Sequence, residues 1–162
     1  MAWDINANGQ VVGTSGLPGK AINVGRAFLY SAGVMQDLGT LGGPSSSSYG
    51  ISDGGAVVGQ ALTGALDYTA ALWENSGSGY AAYDLSAIVN ARVAGGTWAF
   101  NTAYGISDDG RYIVAEGSTG MVVLEANAAP VVATPEPATL VLLATGLTAV
   151  FSVARRRKGT PM

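Results

Sequence analysis

Tyr49-Gly50-Ile51-Ser52-Asp53-Gly54-Gly55-Ala56-Val57-Val58-Gly59 is the middle one of three similar stretches in this 162-residue chain. The first reads Trp3-Asp4-Ile5-Asn6-Ala7-Asn8-Gly9-Gln10-Val11-Val12-Gly13. The third reads Tyr104-Gly105-Ile106-Ser107-Asp108-Asp109-Gly110-Arg111-Tyr112-Ile113-Val114. An aromatic and an Ile two residues apart point to one face of a strand. Asn8-Gly9, Gly54-Gly55 and Asp109-Gly110 then offer the positive φ of a tight hairpin. Val11-Val12, Val57-Val58 or Tyr112-Ile113-Val114 returns as the second strand. The copies start 46 and 55 residues apart, so the chain is read as repeats before anything else.

A looser pattern fills the intervals. Arg26-Ala27-Phe28-Leu29-Tyr30 with Met35-Gln36-Asp37-Leu38 matches Ala70-Ala71-Leu72-Trp73 with Ala82-Tyr83-Asp84-Leu85. Each is a short apolar strand, a turn (Ser31-Ala32-Gly33 or Asn75-Ser76-Gly77-Ser78-Gly79) and a strand ending in Asp-Leu. A full unit is therefore four short antiparallel strands, the content of one β-propeller blade or another stacked β repeat. Residues 2–126 hold two such units and a remnant, Met121-Val122-Val123-Leu124. Closed propellers use about 4–8 blades. The expectation is an all-β, incomplete blade-like array, completed by further blades, by pairing between chains, or by closing as a sandwich. A copy starting at residue 2 without a lead-in favours a chain cut from a longer parent. Gly42-Gly43-Pro44-Ser45-Ser46-Ser47-Ser48 reads as a low-complexity surface loop.

Ala27-Phe28-Leu29-Tyr30, Asp37-Leu38-Gly39-Thr40-Leu41-Gly42-Gly43 and residues 5–13 resemble the HAF repeat, a family of extracellular repeats. The resemblance covers about residues 2–115 and implies an architecture and a location, with no reaction. The second unit departs from it after Asp84-Leu85, where Ser86-Ala87-Ile88-Val89-Asn90 implies a longer, remodelled loop.

The C-terminal end is of another kind. Residues 138–154 carry no charge, and Arg155-Arg156-Arg157-Lys158 follows at once. As a helix the run is about 25 Å long, close to the ~30 Å of a hydrocarbon core. The positive-inside rule keeps the four cations in the cytoplasm and puts everything before Pro135 on the other side. Pro135-Glu136-Pro137, an apolar segment and a terminal Arg cluster resemble the PEP-CTERM sorting signal of Gram-negative envelope proteins. The resemblance implies processing near Pro135, Glu136 and Pro137 by an exosortase, a membrane-embedded cysteine protease/transpeptidase.

Composition narrows the functions. The chain has no Cys and no His, which removes disulfide frameworks, thiolate nucleophiles, c-type haem attachment, His-based triads and the usual zinc sites. Without residues 155–158, 4 basic residues face 11 acidic ones, a net of −7. Such a surface does not neutralise phosphates, so no nucleic-acid partner is expected. Residues 1–4 show no basic and no apolar segment of a secretory leader.

The candidate ligand residues have plainer alternatives. Asp53, Asp108 and Asp109 beside Gly suggest calcium, but Asp and Asn also simply build turns. Asp37 and Asp84 hold equivalent positions and read as structural hydrogen-bonders, not an acid/base pair. Trp3 and Trp73, in repeated strands, read as core; Trp98, beside Gly95-Gly96, reads as the exposed aromatic. The expected organisation is a β-repeat domain over 1–125, a linker over 126–134, and a sorting signal over 135–158 that contains a single transmembrane helix over 138–154. The expected function is a non-catalytic, exported surface protein without cofactor or metal. Its partners are the membrane, an exosortase and an extracellular polysaccharide. Alternatives are a carbohydrate- or ice-binding module, or a fragment of a larger secreted propeller enzyme.

Overall fold

The computed structural model describes residues 1–17, 19, 24–92, 97–118, 120–126, 139–143 and 148–152. The three hairpin-forming stretches each open an antiparallel sheet. The first contains β1 (Ala2–Ile5), β2 (Val11–Gly16), β3 (Gly25–Ser31) and β4 (Val34–Asp37), in the order β1-β2-β3-β4. The second contains β5 (Gly42–Ile51), β6 (Val57–Thr63), β7 (Tyr68–Asn75) and β8 (Tyr80–Asp84), again in chain order. The third has three strands, β9 (Phe100–Ile106), β10 (Tyr112–Gly117) and β11 (Gly120–Glu125), so 121–124 is indeed its last strand.

The sheets pack face on face in chain order. β5 lies against β1, β2 and β3, and β9 lies against β5, β6 and β7. One apolar cluster joins Val12, Ala27 and Leu29 of the first sheet to Ile51, Val57, Ala71 and Trp73 of the second. Another joins Val58 and Ala70 to Phe100, Ala103, Ile113, Val122 and Leu124. The second sheet is thus buried on both faces. Hence adjacent residues Val57 and Val58 are both apolar and both buried, one facing each neighbour.

The turns close by one device. Gly9 N–H donates to Asn6 O, Gly55 N–H to Ser52 O and Gly110 N–H to Ser107 O. Among their turn residues only the Gly has positive φ: +71° at Gly9, +84° at Gly55, +73° at Gly110. That is the four-residue turn followed by a left-handed Gly, not the two-residue hairpin with two positive φ angles.

Expectation and structure differ at four places, each for a definable reason. In the third copy Ser107 N–H reaches Tyr112 O, one residue further than the Ser52-to-Ala56 bond of the second. The longer turn shifts the register, so Ile113, not Tyr112, pairs with Ile106 as Val57 pairs with Ile51. A one-residue shift exchanges the faces of a strand; Ile113 is buried and Tyr112 exposed.

The serine run is no surface loop. It lies in β5, with Ser45, Ser46 and Ser48 buried. Ser46 Oγ accepts from Ala27 N–H at 3.0 Å and donates to Gly39 O at 2.7 Å. Ser48 Oγ donates to Gly13 O at 2.7 Å. A small hydroxyl lets β5 approach the first sheet closely while satisfying its backbone groups.

The remodelled loop is α1 (Leu85–Asn90), an element the sequence reading missed. Asp84 caps it, accepting Ser86 N–H at 2.8 Å, and Leu85 and Val89 bury one face at helical spacing.

The described residues within 138–154 do not form the single helix expected there. β12 (Thr139–Leu143) and β13 (Thr148–Ser152) pair antiparallel there, and β13 lies beside β11. Among the described residues no helix is long and apolar enough to cross a membrane. Thr139, Val141, Thr148, Val150 and Phe151 are β-branched or aromatic and favour extended backbone. Residues 127–134 of the expected linker over 126–134, Pro135, Glu136, Pro137 and the cations Arg155, Arg156, Arg157 and Lys158 lie outside the described residues.

Candidate functional site

The aromatic that opens each copy is displaced by a β-bulge. The pairing skips Trp3 between Ala2 and Asp4, Tyr49 between Ser48 and Gly50, and Tyr104 between Ala103 and Gly105. A bulge adds one residue and re-aims its side chain. The aromatic therefore does not share a face with the Ile two positions on, as strict alternation implies. Ile51 packs toward the first sheet, while Tyr49 Oη accepts from Gln60 Nε2 at 3.0 Å. Gln60 Oε1 in turn accepts from Thr102 Oγ1 of the third sheet at 3.0 Å.

The three rings meet across the sheets. Trp3 stands edge-on to Tyr49, with centroids 5.8 Å apart, and Tyr49 stacks on Tyr104 at 6.3 Å. Trp3 is 50% and Tyr104 49% exposed, which corrects the reading of Trp3 as core. Close approach of β5 and β9 makes the row possible, because a Cβ on Gly50 would stand 3.0 Å from Gly105 Cα. Tyr104 Oη donates to Glu116 Oε2 at 2.8 Å, and that carboxylate raises the phenol above its ordinary range. The result is a ridge of half-exposed rings flanked by an amide and a carboxylate, a surface suited to stacking and hydrogen bonding. Gly50 and Gly105, each next to the aromatic inside a strand, were the available sign of a bulge.

The turns beside this row are linked as well. Asn6 Nδ2 donates to Ser52 O at 2.9 Å, Ala7 N–H to Asp53 Oδ1 at 2.9 Å, and Asp53 N–H to Asp108 O at 2.8 Å. Asp109 Oδ1 accepts from Ser107 Oγ and Arg111 N–H, and the Ser107 bond leads in holding its carboxyl below the usual range. Asp53 and Asp109 are thus turn and cross-sheet acceptors. No group of three or more potential metal ligands occurs among the described residues.

The repeated Asp-Leu positions behave as hydrogen-bonders. Asp37 accepts Gly39 N–H at 2.8 Å and pairs with Arg26 at 3.2 Å. Asp84 caps α1 and accepts from Thr69 Oγ1 at 2.9 Å. Trp98 is not the free aromatic. It stacks on Phe100 at 6.3 Å, and Asn90 of α1 holds its backbone, with Trp98 N–H donating to Asn90 Oδ1 at 2.6 Å. Trp73 is fully buried between the first two sheets, as expected of core.

No curated protein and no solved structure matches the chain. Residues 133–158 match the PEP-CTERM protein-sorting motif, which implies an exported, envelope-associated protein that an exosortase processes.

Proposed function

We propose that this chain is a non-catalytic surface protein whose HAF-type β repeats are carried across the membrane and handed to an exosortase by the C-terminal tail. The observation that carries the reading is the sorting motif over residues 133–158. Pro135, Glu136 and Pro137 are the recognition element; Arg155, Arg156, Arg157 and Lys158 stay cytoplasmic and set the orientation. Residues 138–154 are bilayer-length. In lipid a lone two-stranded hairpin leaves its edge N–H and C=O groups unpaired, each at a cost of several kcal/mol, about 2–7 by transfer data. The same residues satisfy all of them as a helix, so the helix is the membrane form of the tail.

A second reading is favoured by the Trp3–Tyr49–Tyr104 row. Half-exposed rings beside Gln60 and Glu116 suit the faces and hydroxyls of a polysaccharide in the envelope.

The test is expression in an exosortase-bearing Gram-negative host, followed by fractionation and intact-mass measurement. The expected product lies outside the cytoplasm and has lost the mass of its tail. Replacing Pro135, Glu136 and Pro137 together by Ala is expected to leave it unprocessed in the membrane. A full-mass wild-type chain in the cytosol would sink the proposal.

A further inference from the structure

The first sheet exposes on its outer face the residues that its neighbour buries. Ile51, Val57 and Trp73 of the second sheet are 2%, 0% and 0% exposed where they pack on the first. The corresponding positions are Ile5, Val11 and Tyr30, and the register agrees: Ile5 pairs with Val11 and Val11 with Tyr30, as Ile51 pairs with Val57 and Val57 with Trp73. Yet Ile5 is 63% and Tyr30 41% exposed, and Met35, opposite Tyr30, is exposed too. A groove of about 300 Å³ runs along the same face beside Phe28, Met35, Arg26 and Asp37.

The other end of the stack is its complement. Val114 and Met121 of the third sheet correspond to Val58 and Ala70, which bury fully against that sheet, and to Val12 and Ala27, which bury fully against the second. Val114 and Met121 are exposed. One interface is therefore built twice inside the chain from matching positions, and both of its halves are left over at the ends.

We propose that the outer face of the first sheet receives the outer face of the third sheet of a second copy of this chain, head to tail. The occupant is specified by the internal interfaces, whose two halves are the two faces left open. Two copies bring six sheets, within the range of about 4–8 that closes a propeller, and a head-to-tail contact closes into a ring when the rotations allow it. β13 lies beside β11, so the tail hairpin and an incoming copy meet at the same strand.

The chain has no Cys, which makes disulfide trapping clean. Ala7 bonds to Asp53 and Asp53 to Asp108, so position 108 of one copy meets position 7 of the next. Within one chain the turn of Asp53 stands between them. The full-length A7C/D108C double variant, purified in detergent micelles, is expected to oxidise to covalent dimers or a ladder. Either single variant should not. Adding Ile5→Asp should cut the cross-linked fraction at least tenfold while leaving the circular dichroism melt in place. Monomer alone from the double variant, equal cross-linking by A7C alone, or indifference to Ile5→Asp would each overturn the proposal.

Discussion

Two residues carry strain or charge that substitution can relieve. Ala32 sits at φ +50° and Gly33 at +83°, joining Ser31 to Val34 in a two-residue hairpin loop. That turn needs left-handed backbone at both positions, and Ala adopts it at a cost of roughly 1–3 kcal/mol. Ala32→Gly is expected to raise stability by about 1 kcal/mol in urea unfolding, at unchanged m-value. Glu74 is half buried, and desolvation raises its carboxyl above the ordinary 4.5. The folded chain then holds that proton more tightly than the unfolded chain does. Its contribution is fully present below pH 4.5 and is lost as pH rises through the raised value. Glu74→Gln should flatten this part of the pH–stability curve; an unchanged slope just above the ordinary carboxylate range would refute the assignment.

At the scale of elements, α1 depends on one side chain. Asp84 ends β8, accepts Ser86 N–H and Ala87 N–H at the start of α1, and takes a third bond from Thr69. Asp84→Ala is expected to lower stability by about 0.5–2 kcal/mol, the range for a lost cap. It should also free Trp98, whose backbone hangs on Asn90 of the same helix; a red shift in Trp fluorescence would report it. The sequence shows Asp84 and Leu85 as a repeated pair, and Leu85 is buried like Leu38. It does not show that the six residues from Leu85 wind up, because a helix of that length takes its stability from packing and not from propensity.

Across the whole molecule, burial grades from the middle outward. The second sheet is covered on both faces by the two apolar clusters, whereas the outer faces of the first and third sheets present Ile5, Tyr30, Val114 and Met121. Opening free energies follow buried contact, so in the monomeric chain amide exchange should be slowest in β6 and β7 and fastest in β1, β4 and β11, the outer strands gaining protection as copies associate. Equal protection in all three sheets would mean that the outer faces are covered in solution.

The sequence by itself determined the local units: where each hairpin turns, four strands to a full unit, the short third unit, and the sorting tail. These follow from near-neighbour chemistry, from Gly at the positive-φ position and from strand periodicity. Only the tertiary structure decided which side chain faces which sheet. The bulges at Trp3, Tyr49 and Tyr104 turn those rings outward, and one extra turn residue before Tyr112 exchanges it with Ile113. A serine run that looked solvated became the contact surface of β5. Composition cannot show this, since a hydroxyl is tolerated inside only when neighbouring backbone supplies its partners, here Gly13, Ala27 and Gly39.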